Sequence, residues 1–233
     1  MHKRFLVFIC LFLFLFSKKL SAQDFQKGVD YLKNNFPEKA LPIFFAETEK
    51  ANGNRKAYLY LAVSCLQLQK YGDAIVWLQK GSTIDPSDQY LYAYNLGNAY
   101  YMQAAYDLAL SSYQTAYNEN PYYAPTLLNM ANTYMNLGKQ DEALARYKNY
   151  LSLAPMSEQR SAIQQMIALL QGEKDAKEAE ALRIKAEEQA RLEREKALLD
   201  SVNNALSGSD SAKSISAGSE DTIDYNEEEG NLE

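Results

Sequence analysis

An all-α chain of stacked helical hairpins is what this sequence predicts, and three observations predict it. Residue types recur after a step of 34: Ala109 is followed by Ala143, Tyr113 by Tyr147, Tyr100 by Tyr134 and Pro121 by Pro155. The period runs backwards to Ala74 and Pro86 at a step of 35, and from Ala74 to Ala40 at 34, so one residue is inserted near Gln89. After the last repeat the composition changes, first to a run dense in charge and then to Ser, Gly and acid. A fixed period of this length marks a repeat array, whose units bury their apolar faces by stacking on one another.

Taken in order, Met1 to Arg4 is basic, Phe5 to Phe16 is an unbroken apolar run, and Ser17 to Ala22 ends in Leu-Ser-Ala before Gln23. Basic, apolar and small-residue regions in that order read as a secretory signal over residues 1–22. The apolar run is shorter than the ~20 residues of an ordinary membrane span. The expected location is therefore outside the cytoplasm, periplasmic or envelope-associated. The alternative is a chain left anchored by residues 5–16, its only expected contact with a membrane.

Four units follow, at residues 21–54, 55–88, 90–123 and 124–157, each expected to be two antiparallel helices. In the third, Leu91 to Gln103 and Tyr106 to Asn118 are the helices, with Gly97 and Ala109 letting the backbones approach. Pro121 ends the second helix, because proline lacks a backbone donor and its ring clashes with the preceding turn. Gly138 marks the turn inside the fourth hairpin. The first unit is expected to be the least regular: Pro37 suits a first turn, but Pro42 calls for a helix that starts late, near Lys39, or is kinked.

Residues 158–172 read as a capping helix, with Ile163, Met166, Ile167 and Leu170 in one apolar stripe. Glu173 to Leu206 is rich in Ala, Leu, Glu, Lys and Arg, all good helix formers, with Glu187 and Arg191 spaced to pair at i, i+4. Leu182, Gln189, Leu192 and Leu199 are sparse for a heptad seam. A solvated charged helix is expected, with a coiled coil that makes a homo-oligomer through 173–206 as the alternative. Residues 207–233 hold eight acids, one base and almost no bulky side chain, so a disordered acidic tail is expected there.

The units resemble the tetratricopeptide repeat (TPR) family. The family pattern of a bulky residue, Leu-Gly, an aromatic, Ala, an aromatic, Ala and Pro appears in the third unit as Tyr94, Leu96-Gly97, Tyr100, Ala109, Tyr113, Ala116 and Pro121. The fourth gives Leu127, Met130-Ala131, Tyr134, Ala143, Tyr147, Tyr150 and Pro155. The second gives Tyr58, Leu61-Ala62, Cys65, Ala74, Leu78, Gly81 and Pro86. In the first, Gly28, Tyr31, Ala40 and Phe44 fit, while Asn52 stands where Pro is expected. The resemblance implies a right-handed α-solenoid whose concave wall, built by the first helix of each unit, holds an extended peptide or a partner's helix.

Helical spacing then names the wall: Leu91, Tyr94, Asn98 and Tyr101 in the third unit, and Pro125, Leu128, Asn132 and Met135 in the fourth. Lys56, Leu59, Val63 and Leu66 are the same places in the second. Asn95 and Asn129 flank the stripe. Asparagine offers a donor and an acceptor to an extended backbone, tyrosine a stiff apolar ring with a polar tip, and methionine an adaptable surface. These residues are the candidate peptide-binding groove; a plain polar helix face is the competing reading. A carboxylate clamp needs Lys and Arg beside the Asn residues, where Tyr94, Pro125 and Leu128 stand, so an acidic peptide end is not the expected ligand.

Other chemistries lack their parts. His2 is the only histidine and falls in the segment expected to be removed, which leaves no Ser-His or Cys-His pair. Cys65 is the one cysteine beyond Cys10, so neither a cysteine-rich zinc site nor an internal disulfide is expected. No phosphate-cradling Gly-rich loop appears. Residues 23–172 carry 13 acids against 12 bases, a balance unsuited to nucleic acid. Asp141 and Glu142 begin a helix, which favours negative charge. The expectation is an adaptor or scaffold with no catalytic residue, cofactor or metal, acting in envelope assembly by binding a protein or peptide.

Overall fold

The computed structural model describes residues 23–213, so the expected signal and the stretch from residue 214 lie outside the described residues. Those described form helices joined by short turns, with no strand among them. Helix α1 covers residues 23–33. It is followed by α2 (Pro37–Thr48), α3 (Ala57–Gln67), α4 (Tyr71–Ile84), α5 (Gln89–Met102), α6 (Tyr106–Glu119), α7 (Ala124–Asn136), α8 (Gln140–Leu153) and α9 (Arg160–Lys213). Each helix packs on the next from α2 to α8, and the first helices of successive hairpins also meet, α3 with α5 and α5 with α7. This is the α-solenoid of stacked helical hairpins that the resemblance implied.

The turn inside every hairpin is the same object. Asn35, Gln69, Ala104 and Gly138 all adopt positive φ, at 59°, 59°, 57° and 71°. In each, the following N–H reaches back five residues: Phe36 to Tyr31, Lys70 to Cys65, Ala105 to Tyr100 and Lys139 to Tyr134, at 2.8–2.9 Å. This left-handed cap satisfies carbonyls that a helix end leaves open. Gly138 announces itself in the sequence; the other three do not, because Asn, Gln and Ala are not obliged to be left-handed.

Close approach within a hairpin is set by small residues under large ones. A Cβ on Gly97 would lie 2.5 Å from the Tyr113 ring, and one on Gly28 would lie 2.8 Å from Phe44. Gly81 makes room for Tyr58 within its own hairpin and, between hairpins, for Tyr92, which is 2% exposed. The inserted residue shows as one extra residue at the start of α5, which has 14 residues where α7 has 13.

Two expectations are corrected. Helix α2 begins at Pro37 and contains Pro42, so it does not start late; the Pro37 ring sits where no intrahelical N–H bond is needed. The capping and charged helices are one uninterrupted helix, α9, 54 residues long. Gly172 costs only its propensity mid-helix, too little to end a run of strong helix formers. The helix also passes Leu206 and continues to Lys213.

The chain divides into two compact units at Glu173 and Lys174. In the first, Ile163 and Leu170 of α9 are buried in one cluster with Leu127, Leu144 and Tyr147, closing the last hairpin. In the second, residues 175–207 are exposed throughout. Arg183 bonds Glu180 at 2.8 Å and lies 3.9 Å from Glu187, while Arg191 lies 3.9 Å from Glu188. Glu187 thus faces Arg183 rather than the expected Arg191.

Candidate functional site

The sequence placed a groove on the first helices of the third and fourth hairpins, α5 and α7. There the structure forms an open depression of about 310 Å³ lined by Asn98, Tyr101, Met102, Tyr113, Asn129 and Asn132. Asn98, Tyr101 and Asn132 were named from spacing, and Asn129 as a residue flanking the stripe. Met102 and Tyr113 were not.

Tyr113 comes from α6, behind the wall, and its hydroxyl donates to Asn98 Oδ1 at 2.8 Å. Asn129 Nδ2 donates to the same oxygen at 2.8 Å and to the Tyr94 hydroxyl at 3.1 Å, tying α7 to α5. One repeat on, the Tyr147 hydroxyl donates to Asn132 Oδ1 at 2.7 Å. Asn136 Nδ2 donates to the Tyr101 hydroxyl at 2.9 Å, a second tie between α5 and α7. The asparagines are thus the rungs of a ladder, and their tyrosine partners sit 15 residues further along the chain in both units. That repeated Asn-to-Tyr spacing was the available signal for the ladder.

The ladder occupies part of what the asparagines can do. Asn129 Oδ1 and Asn132 Nδ2 take no hydrogen bond among the described residues, which leaves one acceptor and one donor at the depression. Asn95 is turned back on its own helix, with Nδ2 on Leu91 O at 2.8 Å. The Tyr94 ring stands against Tyr113 and Tyr123 at centroid distances of 5.9 and 5.1 Å. Leu91 packs beside Leu59 and Tyr92, and Leu128 and Met135 pack against the cluster that closes the array. Of the nine groove residues, Asn98, Tyr101, Asn129 and Asn132 line the depression; Tyr94 hydrogen-bonds Asn129 behind it, and Asn95, Leu91, Leu128 and Met135 do not line it.

Burial raises the phenols of Tyr94, Tyr113 and Tyr147 above the ordinary tyrosine value. They stay neutral, and Tyr113 and Tyr147 keep their donor hydroxyls, well into alkali. At the edge of the wall, Lys56 Nζ meets Asp88 at 2.6 Å, and this hydrogen bond, then the charge of Asp88, raises the lysine. Burial pushes the Asp85 carboxyl up, but hydrogen bonds from Ser87 and Tyr92 outweigh it and leave the group below the usual carboxylate value. Cys65 is buried, with its thiol pushed up to about 11 chiefly by burial, so it is an unreactive core thiol. Among the described residues no group of three or more His, Cys, Asp or Glu is placed to hold a metal ion.

Two family models match this chain, each described as a tetratricopeptide repeat, over residues 25–89 and 100–170. Superkiller complex protein 3 of Mus musculus is 30% identical over 113 residues, which are 48% of this chain and 7% of that protein. The chain thus spans a small part of the length of that relative. Among solved structures, MamA is similar with a TM-score of 0.55 at 22% identity, over 64% of this chain and 84% of that one. MamA from Desulfovibrio magneticus RS-1 is similar with a TM-score of 0.56 at 15% identity, over 66% and 85%. At such identities the likeness is one of fold.

Proposed function

Because the chain belongs to the tetratricopeptide repeat family, a family of protein–protein interaction modules, we propose that it is a non-catalytic adaptor. It holds an extended protein segment against the wall formed by α3, α5 and α7. The observation that carries this reading is the depression between α5 and α7, where a polar ladder leaves Asn129 Oδ1 and Asn132 Nδ2 unused. An extended backbone exposes the complementary N–H and C=O groups, and Tyr101 and Met102 supply apolar area beside them. The Met1 to Ala22 pattern supports action outside the cytoplasm, in the cell envelope. Among the described residues no helix is long and apolar enough to cross a membrane.

The test is a photo-crosslinking amino acid at Met102, 57% exposed in the depression, against one at Val76, 59% exposed on α4. Adducts to a protein partner from Met102 and not from Val76 are expected in envelope extract. Equal adducts from both, or none from Met102, sink the groove. Edman sequencing of the exported chain is expected to start at Gln23; a start at Met1 sinks the cleaved signal.

A second reading is favoured by α9. Leu182, Ile184, Leu192, Leu198, Leu199 and Val202 are each about half exposed or more, as on a helix that meets a second copy. Light scattering with and without residues 174–233 tests self-association. Loss of a dimer on truncation supports it, and a monomer in both sinks it.

A further inference from the structure

The wall has one property that the groove residues alone do not reveal. Helices α3, α5 and α7 contain no charged residue at all, in a chain with 30 acids and 24 bases. The opening turns of α9 continue the pattern: from Ser161 to Gly172 there is again no charge. The first helix of the array, α1, breaks it with Asp24, Lys27, Asp30 and Lys33, all exposed, and the second helices of the hairpins also carry charge. Asp73 and Lys80 lie on α4, Asp107 and Glu119 on α6, and Asp141, Glu142, Arg146 and Lys148 on α8. Lys56 and Asp88, at the N-terminal edge of α3 and α5, neutralise each other across 2.6 Å.

From this distribution we infer that the segment held on the wall is itself uncharged: an extended polypeptide stretch with amide, hydroxyl, aromatic or aliphatic side chains and neither acids nor bases facing α3, α5 and α7. This rests on the groove reading and narrows it. A charged side chain laid there gives up water and finds no counter-charge, and unpaired charges leave water only at a high cost. Neutral polar groups meet partners instead, at Asn129 Oδ1 and Asn132 Nδ2. Along the wall the preference shifts, because the half-buried Val63 and Leu66 are aliphatic where Asn98 and Tyr101 stand one repeat later.

The experiment pans a random-sequence peptide display library on the purified full chain. It then measures the selected peptides, synthesised with blocked ends, against wild type, Tyr101→Ala, Met102→Lys and Met102→Glu. Each variant's melting temperature is measured alongside. Selected peptides are expected to be depleted of Asp, Glu, Lys and Arg, and to bind with little dependence on salt. Tyr101→Ala is expected to abolish binding. Lys and Glu at position 102 are both expected to weaken it by about tenfold, the factor that one desolvated charge readily supplies. If either sign tightens binding, or neither changes it, or the peptides carry charge and lose affinity in salt, the inference is overturned while the groove stands. Peptides indifferent to Tyr101→Ala, or no selected peptide at all, overturn the groove and the inference together.

Discussion

The first two hairpins and the last two solve one packing problem with opposite chemistry. At equivalent places the first two carry Val29 with Phe44 and Val63 with Leu78, while the last two carry Asn98 with Tyr113 and Asn132 with Tyr147. Phe44 is fully buried, stacks on Tyr60 at 5.2 Å and meets Phe25 edge-on at 5.3 Å. Tyr113 is almost as buried, yet its position depends on a hydrogen bond to Asn98. The apolar half gains from area removed from water. The polar half gains little net from each hydrogen bond and loses heavily when one is left half made. What it acquires is a wall with hydrogen-bonding groups at its surface, and that is the half in which the depression lies.

The comparison is broken most strongly from its apolar side. Phe44→Ala is expected to cost about 3–5 kcal/mol, by lost transfer energy plus a cavity. Urea titration followed by Trp77 fluorescence should show the loss, since Trp77 packs partly buried against the Phe44 cluster.

Asn98→Ala attacks the polar side and is expected to cost about 1–3 kcal/mol, because it removes the acceptor shared by the Tyr113 hydroxyl and Asn129 Nδ2. Adding Tyr113→Phe should return part of that loss, as removing both partners of a buried pair does. Calorimetry on the double-mutant cycle checks it, and strictly additive losses would mean that the bond contributes no coupling. Asn98→Ala is for this reason a poor probe of ligand binding: it disturbs the fold behind the groove.

Alkali sharpens the contrast. The Tyr113 phenol is raised in the folded chain. The stability it contributes is therefore fully present below the unfolded value near 10 and is lost as pH rises from there toward the folded value. Tyr94 and Tyr147 act in the same direction. Above that pH, unfolding at fixed urea should become easier with wild type, and less so with Tyr113→Phe. Tyrosinate absorbance should rise in step with unfolding.

The smallest effect lies in the hairpin turns, where the two halves agree. Ala104→Gly is expected to stabilise by about 0.5 kcal/mol: relief of the left-handed strain slightly exceeds the entropy that glycine adds to the unfolded chain. A melting temperature raised by a degree or two is the expected reading, and a lowered one would show that Ala104 is unstrained.

Much of the fold was legible. Recurrence of Ala74, Ala109 and Ala143 and of Pro86, Pro121 and Pro155 located the hairpins, because close helix approach demands small residues and helix ends tolerate proline. The site was legible in outline, through the helical spacing of Asn98, Tyr101 and Asn132. The repeated 15-residue spacing hinted at the Asn98–Tyr113 and Asn132–Tyr147 pairs but did not establish that they are hydrogen-bonded. Periodicity says which residues share a face of one helix, not which atoms meet across two.

Order along the chain thus determined the repeat, its length, the inserted residue and the charge-free composition of α3, α5 and α7, since these follow from residue type and spacing. Only the tertiary structure decided that the capping and charged segments are one helix and that three non-glycine residues turn left-handed. It also decided which asparagine atoms remain for a ligand. Each of those outcomes is set by competition among neighbours brought together from distant positions, and a hydrogen bond is assigned only when both of its ends have been placed.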